Sequence, residues 1–161
     1  MEHHATLVWT RRGAAFTDSK YSRAHAWEFD GGATVPASSS PLSVPLPYSD
    51  AAAVDPEEAY VAALASCHML FFLAFAAKRG YTVESYRDAA VGVLEKDASG
   101  RMVMTRVTLR PETTFGRDGR APAEEAVREL HEQAHHSCFL ANSVRTEIVT
   151  EPAFTLAEGD R

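Results

Sequence analysis

The longest apolar stretch of the chain covers residues 61–77 and is broken only near its middle, at residues 66–68. Asp55 precedes this stretch as a helix-cap residue, and Gly80 follows it as a helix-stop residue. The pattern predicts one helix from about Pro56 to Arg79 that is apolar on every side, and such a helix is buried on every side. Its polar middle argues against a membrane span.

Shorter segments that alternate polar and apolar residues predict β-strands before and after this helix. Residues 38–54 are rich in proline, which excludes a helix or a central strand, so we predict an extended loop there. A second helix is predicted to begin near Pro122. The predicted strands cover residues 5–10, 24–29, 34–36, 81–95, 102–110 and 144–149.

The order of these elements predicts an α+β fold, in which antiparallel sheets pack on a long central helix. The length of 161 residues suits a single domain with a substantial core. We expect this domain to cover residues 1–151, and we expect residues 152–161 to form a polar tail.

Composition narrows the range of functions. The hydrophobic fraction of 45% and the charged fraction of 24% are ordinary for a globular protein. The net charge of −6, without a basic run, argues against a nucleic-acid partner. The N-terminus lacks the basic and apolar regions of a signal peptide, so we predict a cytoplasmic protein, whose cysteines stay reduced.

The chain contains two cysteines, and each has two interpretations. Cys67 lies inside the long helix, where it is either a small buried hydrophobe, the usual role of a free cysteine, or the functional residue of that helix. Cys138 follows Ser137, a helix-cap residue, so we expect Cys138 in the first turn of a short helix, where its pKa would be lowered. The alternative for Cys138 is core packing beside Phe139.

A metal site is not predicted, although several residues are of ligand type. Cys67 and His68 are adjacent, as are His135 and His136, and adjacent residues of a helix point about 100° apart. We therefore expect no metal and no bound cofactor.

Two motifs resemble the signature regions of the OsmC/Ohr family, the osmotically inducible and organic-hydroperoxide-resistance proteins. The first is Asp55-Pro56-Glu57-Glu58 with Ala65-Ser66-Cys67-His68-Met69, and the second covers residues 135–143. The resemblance implies an intertwined homodimer and a thiol-dependent peroxidase that reduces organic hydroperoxides.

The resemblance also implies a set of site residues. The peroxidatic cysteine of the family matches Cys67, the resolving cysteine matches Cys138, and the family glutamate matches Glu57. The family arginine comes from the N-terminal segment and is best matched by Arg23, with Arg11 and Arg12 as weaker candidates. A thiol in an apolar helix favours its protonated form, so a nearby arginine would favour the reactive thiolate of Cys67.

One position departs from the Ohr branch, whose members carry a proline directly after the second cysteine. Phe139 stands at that position, so the sequence is closer to the OsmC-like arm. The expected reaction passes through a sulfenic acid on Cys67 and a disulfide with Cys138, which an external dithiol, of lipoyl or small-thiol type, then reduces.

Two other functions stay open at this point. The chain is either such a peroxidase or a non-enzymatic, stress-associated dimer that binds a small ligand on the same fold, with Cys67 as packing. A thiol hydrolase that uses Cys67 with His68 is the third interpretation, and it would not need Cys138.

Overall fold

The computed structural model describes residues 1–158, and the last three residues of the predicted tail lie outside this range. The chain divides into two compact units, Met1–Ala59 and Tyr60–Arg161. The expectation of a single domain ending at residue 151 stays a prediction. Its boundary falls between two strands of the second unit.

The first unit is built on a three-stranded antiparallel sheet, in the order β1-β2-β3. The proline-rich loop that follows is fixed to β3, because the Ser38 N–H donates to the Val54 carbonyl and the Asp50 N–H donates to the Ser38 hydroxyl, each at 3.0 Å. The three strands predicted for this region are confirmed within two residues at each end. They are β1 (Ala5–Val8), β2 (His25–Phe29) and β3 (Thr34–Ala37).

The long helix α1 (Pro56–Lys78) confirms the predicted helix, and its ends show why the sequence stops there. Asp55 and Glu58 form a capping box, in which the Glu58 N–H donates to the Asp55 carboxylate at 2.7 Å and the Asp55 N–H donates back to Glu58 at 3.2 Å. At the other end Gly80 adopts a positive φ of 74°, and the Tyr81 N–H reaches back to the Ala76 carbonyl at 3.0 Å. This is the Schellman ending that glycine permits.

The second unit contains two mixed three-stranded sheets and the helix α2. The sheet orders are β4-β7-β9 and β5-β6-β8, and the last strand of each sheet is parallel to its neighbour because it returns after α2. The prediction of antiparallel sheets is therefore correct for the first unit and incomplete for the second. The elements are β4 (Val83–Asp88), β5 (Val91–Lys96), β6 (Met102–Leu109), β7 (Pro111–Phe115), α2 (Glu124–Ser137), β8 (Glu147–Thr150) and β9 (Ala153–Leu156).

The single strand predicted over residues 81–95 is wrong, because the chain changes sheets between β4 and β5. At this break the Asp88 carboxylate accepts the Arg110 N–H at 2.7 Å, which takes the place of a ladder bond. Two short strands were missed by the sequence analysis. They are β7, which begins at Pro111 just after β6 ends, and β9, which falls in the predicted polar tail.

α1 contributes one buried stripe, Leu64, His68, Phe72 and Ala76, to the second unit. Leu64 packs in one core cluster, whereas Phe72 and Ala76 pack in the other. The expectation that α1 is buried on every side is therefore wrong for a single chain, because partly buried residues flank this stripe and the opposite face is exposed. By length and composition alone α1 could span a membrane. Its buried residues, however, pack in the core clusters of the second unit. The α+β class is confirmed.

Candidate functional site

The structure brings the two cysteines together within the second unit. Cys67 lies in the middle of α1 and is partly exposed, while Cys138 is only 1% exposed. Both are free thiols, and Cys67 lies close enough to Cys138 to raise the pKa of the Cys138 thiol. Residues that are 71 positions apart in the chain thus form one dithiol site.

Cys138 caps the C-terminus of α2 and precedes a short 3-10 helix, Ala141–Ser143. The predicted short helix is therefore present, but Cys138 lies before its first turn, where the sulfur accepts the Ala141 N–H at 3.4 Å. Ser137 is the last residue of α2 instead of a cap, and the Cys138 N–H donates to the Ala134 carbonyl at 2.9 Å. Burial raises the pKa of the Cys138 thiol to about 11, and the hydrogen bond with the Cys67 sulfur adds to the shift. The predicted lowering of this pKa is therefore wrong, because burial disfavours the thiolate more than the backbone N–H groups of Ala141 and Leu140 favour it.

Two phenylalanines stand beside the dithiol site. Phe71 lies one turn after Cys67 on α1, and Phe139 follows Cys138 directly. Their rings meet edge to face with centroids 5.2 Å apart, and Phe139 is 72% exposed. An apolar surface therefore adjoins the two sulfur atoms.

A pair of buried histidines lies next to the dithiol site. His68 Nε2 and His131 Nδ1 are 3.0 Å apart, and the two rings are stacked with an interplanar angle of 7°. Burial lowers the pKa of His68 to about 4, helped by nearby His135, and burial lowers the pKa of His131 to about 3, helped by His68. Both imidazoles are therefore neutral near pH 7, and the N–H of one ring donates a hydrogen bond to the bare nitrogen of the other.

His131 was missed by the sequence analysis, although a signal for it was present. It lies four residues after Val127 and one after Leu130, on the predicted apolar face of α2. His68 likewise lies four residues before Phe72, on the buried stripe of α1. A histidine at a buried helical position needs a hydrogen-bond partner, and two such positions could have been paired.

His131-Glu132-Gln133-Ala134-His135 has the His-Glu-x-x-His spacing of a zinc-binding helix, which the sequence analysis did not consider. In the structure His131 Nδ1 is engaged by His68, and His131 Nε2 is buried without a partner. Within residues 1–158 no three side chains of His, Cys, Asp or Glu are grouped to hold a metal ion.

The other two predicted site residues, Arg23 and Glu57, belong to the first unit. The Arg23 guanidinium donates to the Ser19 and Tyr21 carbonyls, at 2.7 and 2.6 Å, and lies 3.9 Å above the Tyr21 ring. Among the described residues no ion pair joins Arg23 to Glu57. Their assignment to the site stays a prediction.

Two cavities lie near some of these residues, but neither is lined by a cysteine. A cavity of about 1000 Å³ in the second unit lies between α2 and the segment of β8 and β9, with His131 in its wall. A cavity of about 440 Å³ in the first unit is lined by Arg23 together with the aromatic rings of Trp9, Phe16 and Tyr21. Neither of these two cavities therefore marks the dithiol site.

Comparison with known proteins gives the family. The family model described as OsmC-like protein matches residues 49–152. A solved structure from Vibrio cholerae O1, described as an OsmC-like protein of unknown function, is 54% identical and has a TM-score of 0.92, covering 94% of this chain and 99% of that chain. No curated protein matches the sequence.

More distant solved structures share the fold. OhrB of Bacillus subtilis, described as an organic hydroperoxide resistance protein, is 19% identical with a TM-score of 0.61, covering 96% of this chain and 98% of that chain. A protein from Legionella pneumophila, described as the organic hydroperoxide resistance protein OsmC, is 13% identical with a TM-score of 0.62, covering 96% and 97%. From the match over residues 49–152 and the 54% identity, we conclude that this chain belongs to the OsmC family.

Proposed function

We propose that the protein is a thiol-dependent peroxidase that reduces organic hydroperoxides to alcohols. The observation that carries the proposal is the proximity of a partly exposed thiol, Cys67, to a buried thiol, Cys138. Membership of the OsmC family, and hydroperoxide-resistance proteins among its fold relatives, support this chemistry.

In the first step the Cys67 thiolate attacks the distal oxygen of the peroxide R–O–O–H. The O–O bond breaks, the alkoxide takes a proton and leaves as the alcohol, and the sulfur is oxidised to a sulfenic acid, Cys67–S–OH. Partial exposure of Cys67 suits this step, since the peroxide must reach the sulfur. The neighbouring rings of Phe71 and Phe139 would favour a substrate with an apolar group.

In the second step the sulfur of Cys138 displaces the hydroxyl group of the sulfenic acid. A Cys67–Cys138 disulfide forms and one water leaves, so the site returns to rest only after two electrons arrive from an external dithiol. Thiol–disulfide exchange with that dithiol restores both thiols and leaves the reductant as a disulfide. A lipoyl group or another small dithiol is the class of reductant that we propose, in the cytoplasm, with no bound cofactor.

Arg23 and Glu57 are proposed as further site residues on the strength of the family resemblance. The role of Arg23 would be to favour the thiolate of Cys67, and the role of Glu57 would be to orient the guanidinium.

We propose that the working form is a homodimer. α1 presents small and apolar side chains to solvent along one face, at helical spacing, and Leu70 in this face is 61% exposed. A continuous apolar face of this kind marks an interaction surface, and a second copy of the chain is the proposed occupant. The exposed face consists of Ala62, Ala63, Ser66, Leu70, Ala74 and Ala77.

Sedimentation tests the dimer directly. We expect the wild-type protein to sediment as a dimer at micromolar concentration and Leu70→Lys to sediment as a monomer, because the lysine would be buried in the interface without a partner. Leu42→Lys is the matched control, since Leu42 is 98% exposed and lies outside the face. A wild-type monomer would contradict the proposal.

The proposed activity is tested by steady-state consumption of an alkyl hydroperoxide with dihydrolipoamide as the reductant. We expect continuous turnover that depends on the enzyme and is faster with the alkyl hydroperoxide than with hydrogen peroxide. No turnover with either peroxide, under conditions in which both thiols are shown to be reduced, would favour the binding protein or the hydrolase over the peroxidase.

A further inference from the structure

Three polar pairs within the second unit join α1, or the residue just after it, to α2 or its C-cap. They are the neighbouring thiols of Cys67 and Cys138, the His68–His131 hydrogen bond, and an ion pair between Arg79 and Glu129 at 2.9 Å. The ion pair is exposed, whereas His68 and His131 are 1% and 3% exposed. The histidine pair is thus the buried polar link between the helices that carry the thiols.

The spacing along each helix couples the two pairs. His68 follows Cys67 directly on α1. His131 precedes Cys138 by seven residues on α2, which is about two helical turns, so both lie on the same side of that helix. A rotation or slide of either helix that changed the distance between the imidazoles would also change the distance between the sulfur atoms.

The His68–His131 hydrogen bond is suited to hold the two helices in a fixed relative position. Both rings are buried and stacked, and the His131 ring also stacks on Phe72 with centroids 4.3 Å apart. A hydrogen bond is directional, and breaking it in the interior leaves two polar nitrogens unsatisfied. Among the described residues His131 Nε2 has no hydrogen-bond partner, so the bond to His68 is the one hydrogen bond of this imidazole.

We propose that His68 and His131 are positioning residues that hold Cys138 at the distance from Cys67 at which a disulfide closes. This inference rests on the proposed function only in making that disulfide a step of the reaction. A disulfide forms over a narrow range of separations, with Cβ atoms about 3.5–4.5 Å apart. A small shift of one helix against the other therefore strongly lowers the equilibrium constant for forming the disulfide, called the closure constant below.

The test is the equilibrium of the full-length protein with glutathione, which needs no peroxide. Glutathione disulfide oxidises the two thiols to the Cys67–Cys138 disulfide and is itself reduced to two glutathione molecules. The ratio of oxidised to reduced protein at fixed glutathione concentrations gives the closure constant. Circular dichroism of each variant shows that the protein measured is folded.

The variants separate the hydrogen bond from packing. The amide of asparagine occupies the place of imidazole Nδ1, the atom that His131 uses, so His131→Asn keeps the bond and His131→Leu removes it. We expect His131→Leu to lower the closure constant by roughly tenfold or more, and His131→Asn to stay within about twofold of wild type. Val107→Ala, in the other core cluster, is the control for lost stability and should leave the constant unchanged.

Three results would overturn the proposal: an unchanged constant in His131→Leu, an equal loss in His131→Asn, or an equal loss in Val107→Ala. If His131→Leu does not fold, the same criteria apply to His68→Met and His68→Gln, because the glutamine amide occupies the place of Nε2, the atom that His68 uses. A protein that consumes no peroxide but shows these shifts would refute the proposed function and leave the positioning role standing. Normal peroxide consumption, together with a closure constant that is the same in every variant, would support the proposed function and refute the positioning role.

Discussion

The two cysteines lie close together, yet their surroundings differ in exposure and in position on their helices. Cys67 lies in the middle of a helix and is partly open to solvent. Cys138 is buried at the carbonyl end of a helix, where its pKa is raised to about 11. A pair built only for packing would need no such asymmetry. In the proposed mechanism, this difference leaves one thiol open to the peroxide and keeps the other protonated until its neighbour has reacted.

The largest effect that we expect comes from removing the accessible thiol. Cys67→Ser should abolish peroxide consumption, because a hydroxyl group is not ionised at neutral pH and cannot take up the peroxide oxygen. Thermal unfolding should change little, since the substitution alters the volume by less than a methylene group and the site is partly exposed. A variant that keeps its rate would exclude Cys67 as the peroxidatic residue.

Removing the buried thiol should give a different defect. Cys138→Ser should reduce about one equivalent of peroxide per chain and then stop with dihydrolipoamide as the reductant, since no disulfide can form. A sulfenic-acid trapping reagent followed by peptide mapping should find the label on Cys67. Repeated turnover at the wild-type rate would show that Cys138 does not resolve the intermediate.

Alkylation compares the two thiols in the same molecule. A thiol of pKa about 11 is ionised at pH 7 in about one molecule in ten thousand, so Cys138 should react with iodoacetamide far more slowly than a free cysteine. Its rate should rise as the pH is raised toward 11, because the thiolate is the reacting form. Peptide mass spectrometry after timed quenching measures both rates, and equal rates at pH 7 would contradict the asymmetry.

A smaller effect is expected from Arg23, which the family resemblance assigns to the first thiol alone. Arg23→Met should slow peroxide reduction by roughly tenfold, equivalent to about 1.4 kcal/mol, because the cation that favours the Cys67 thiolate is lost. Arg23→Lys should recover only part of the rate, since an ammonium group lacks the planar fork of guanidinium. Alkylation of Cys138 is the internal control and should not change. Wild-type rates in both variants would move the assignment to Arg11 or Arg12.

Much of the fold could be predicted because its signals are local. The cap at Asp55 and the stop at Gly80 lie next to the ends of α1, and the structure confirms both. The change of sheet between β4 and β5 could not be predicted, because it depends on a carboxylate, Asp88, that meets the Arg110 backbone far along the chain. The parallel return of β8 likewise depends on where α2 places the chain.

In the site, too, some features follow from the local sequence and others depend on distant parts of the chain. The family motifs located Cys67 and Cys138, but the local sequence misjudged the environment of Cys138, since Ser137 extends α2 instead of capping a new helix. The apolar periodicity of α2 contained the information that His131 is buried. Its partner, His68, lies 63 residues away and could be identified only from the structure.

The central claim is that an organic hydroperoxide oxidises Cys67 and that Cys138 then closes a disulfide with it. The most direct measurement is the mass of the fully reduced protein before and after one equivalent of an alkyl hydroperoxide, followed by non-reducing peptide mapping. We predict that each chain loses two hydrogen atoms and that one cross-linked peptide pair joins Cys67 to Cys138. An unchanged mass, or a disulfide that joins any other pair of thiols, would contradict the account.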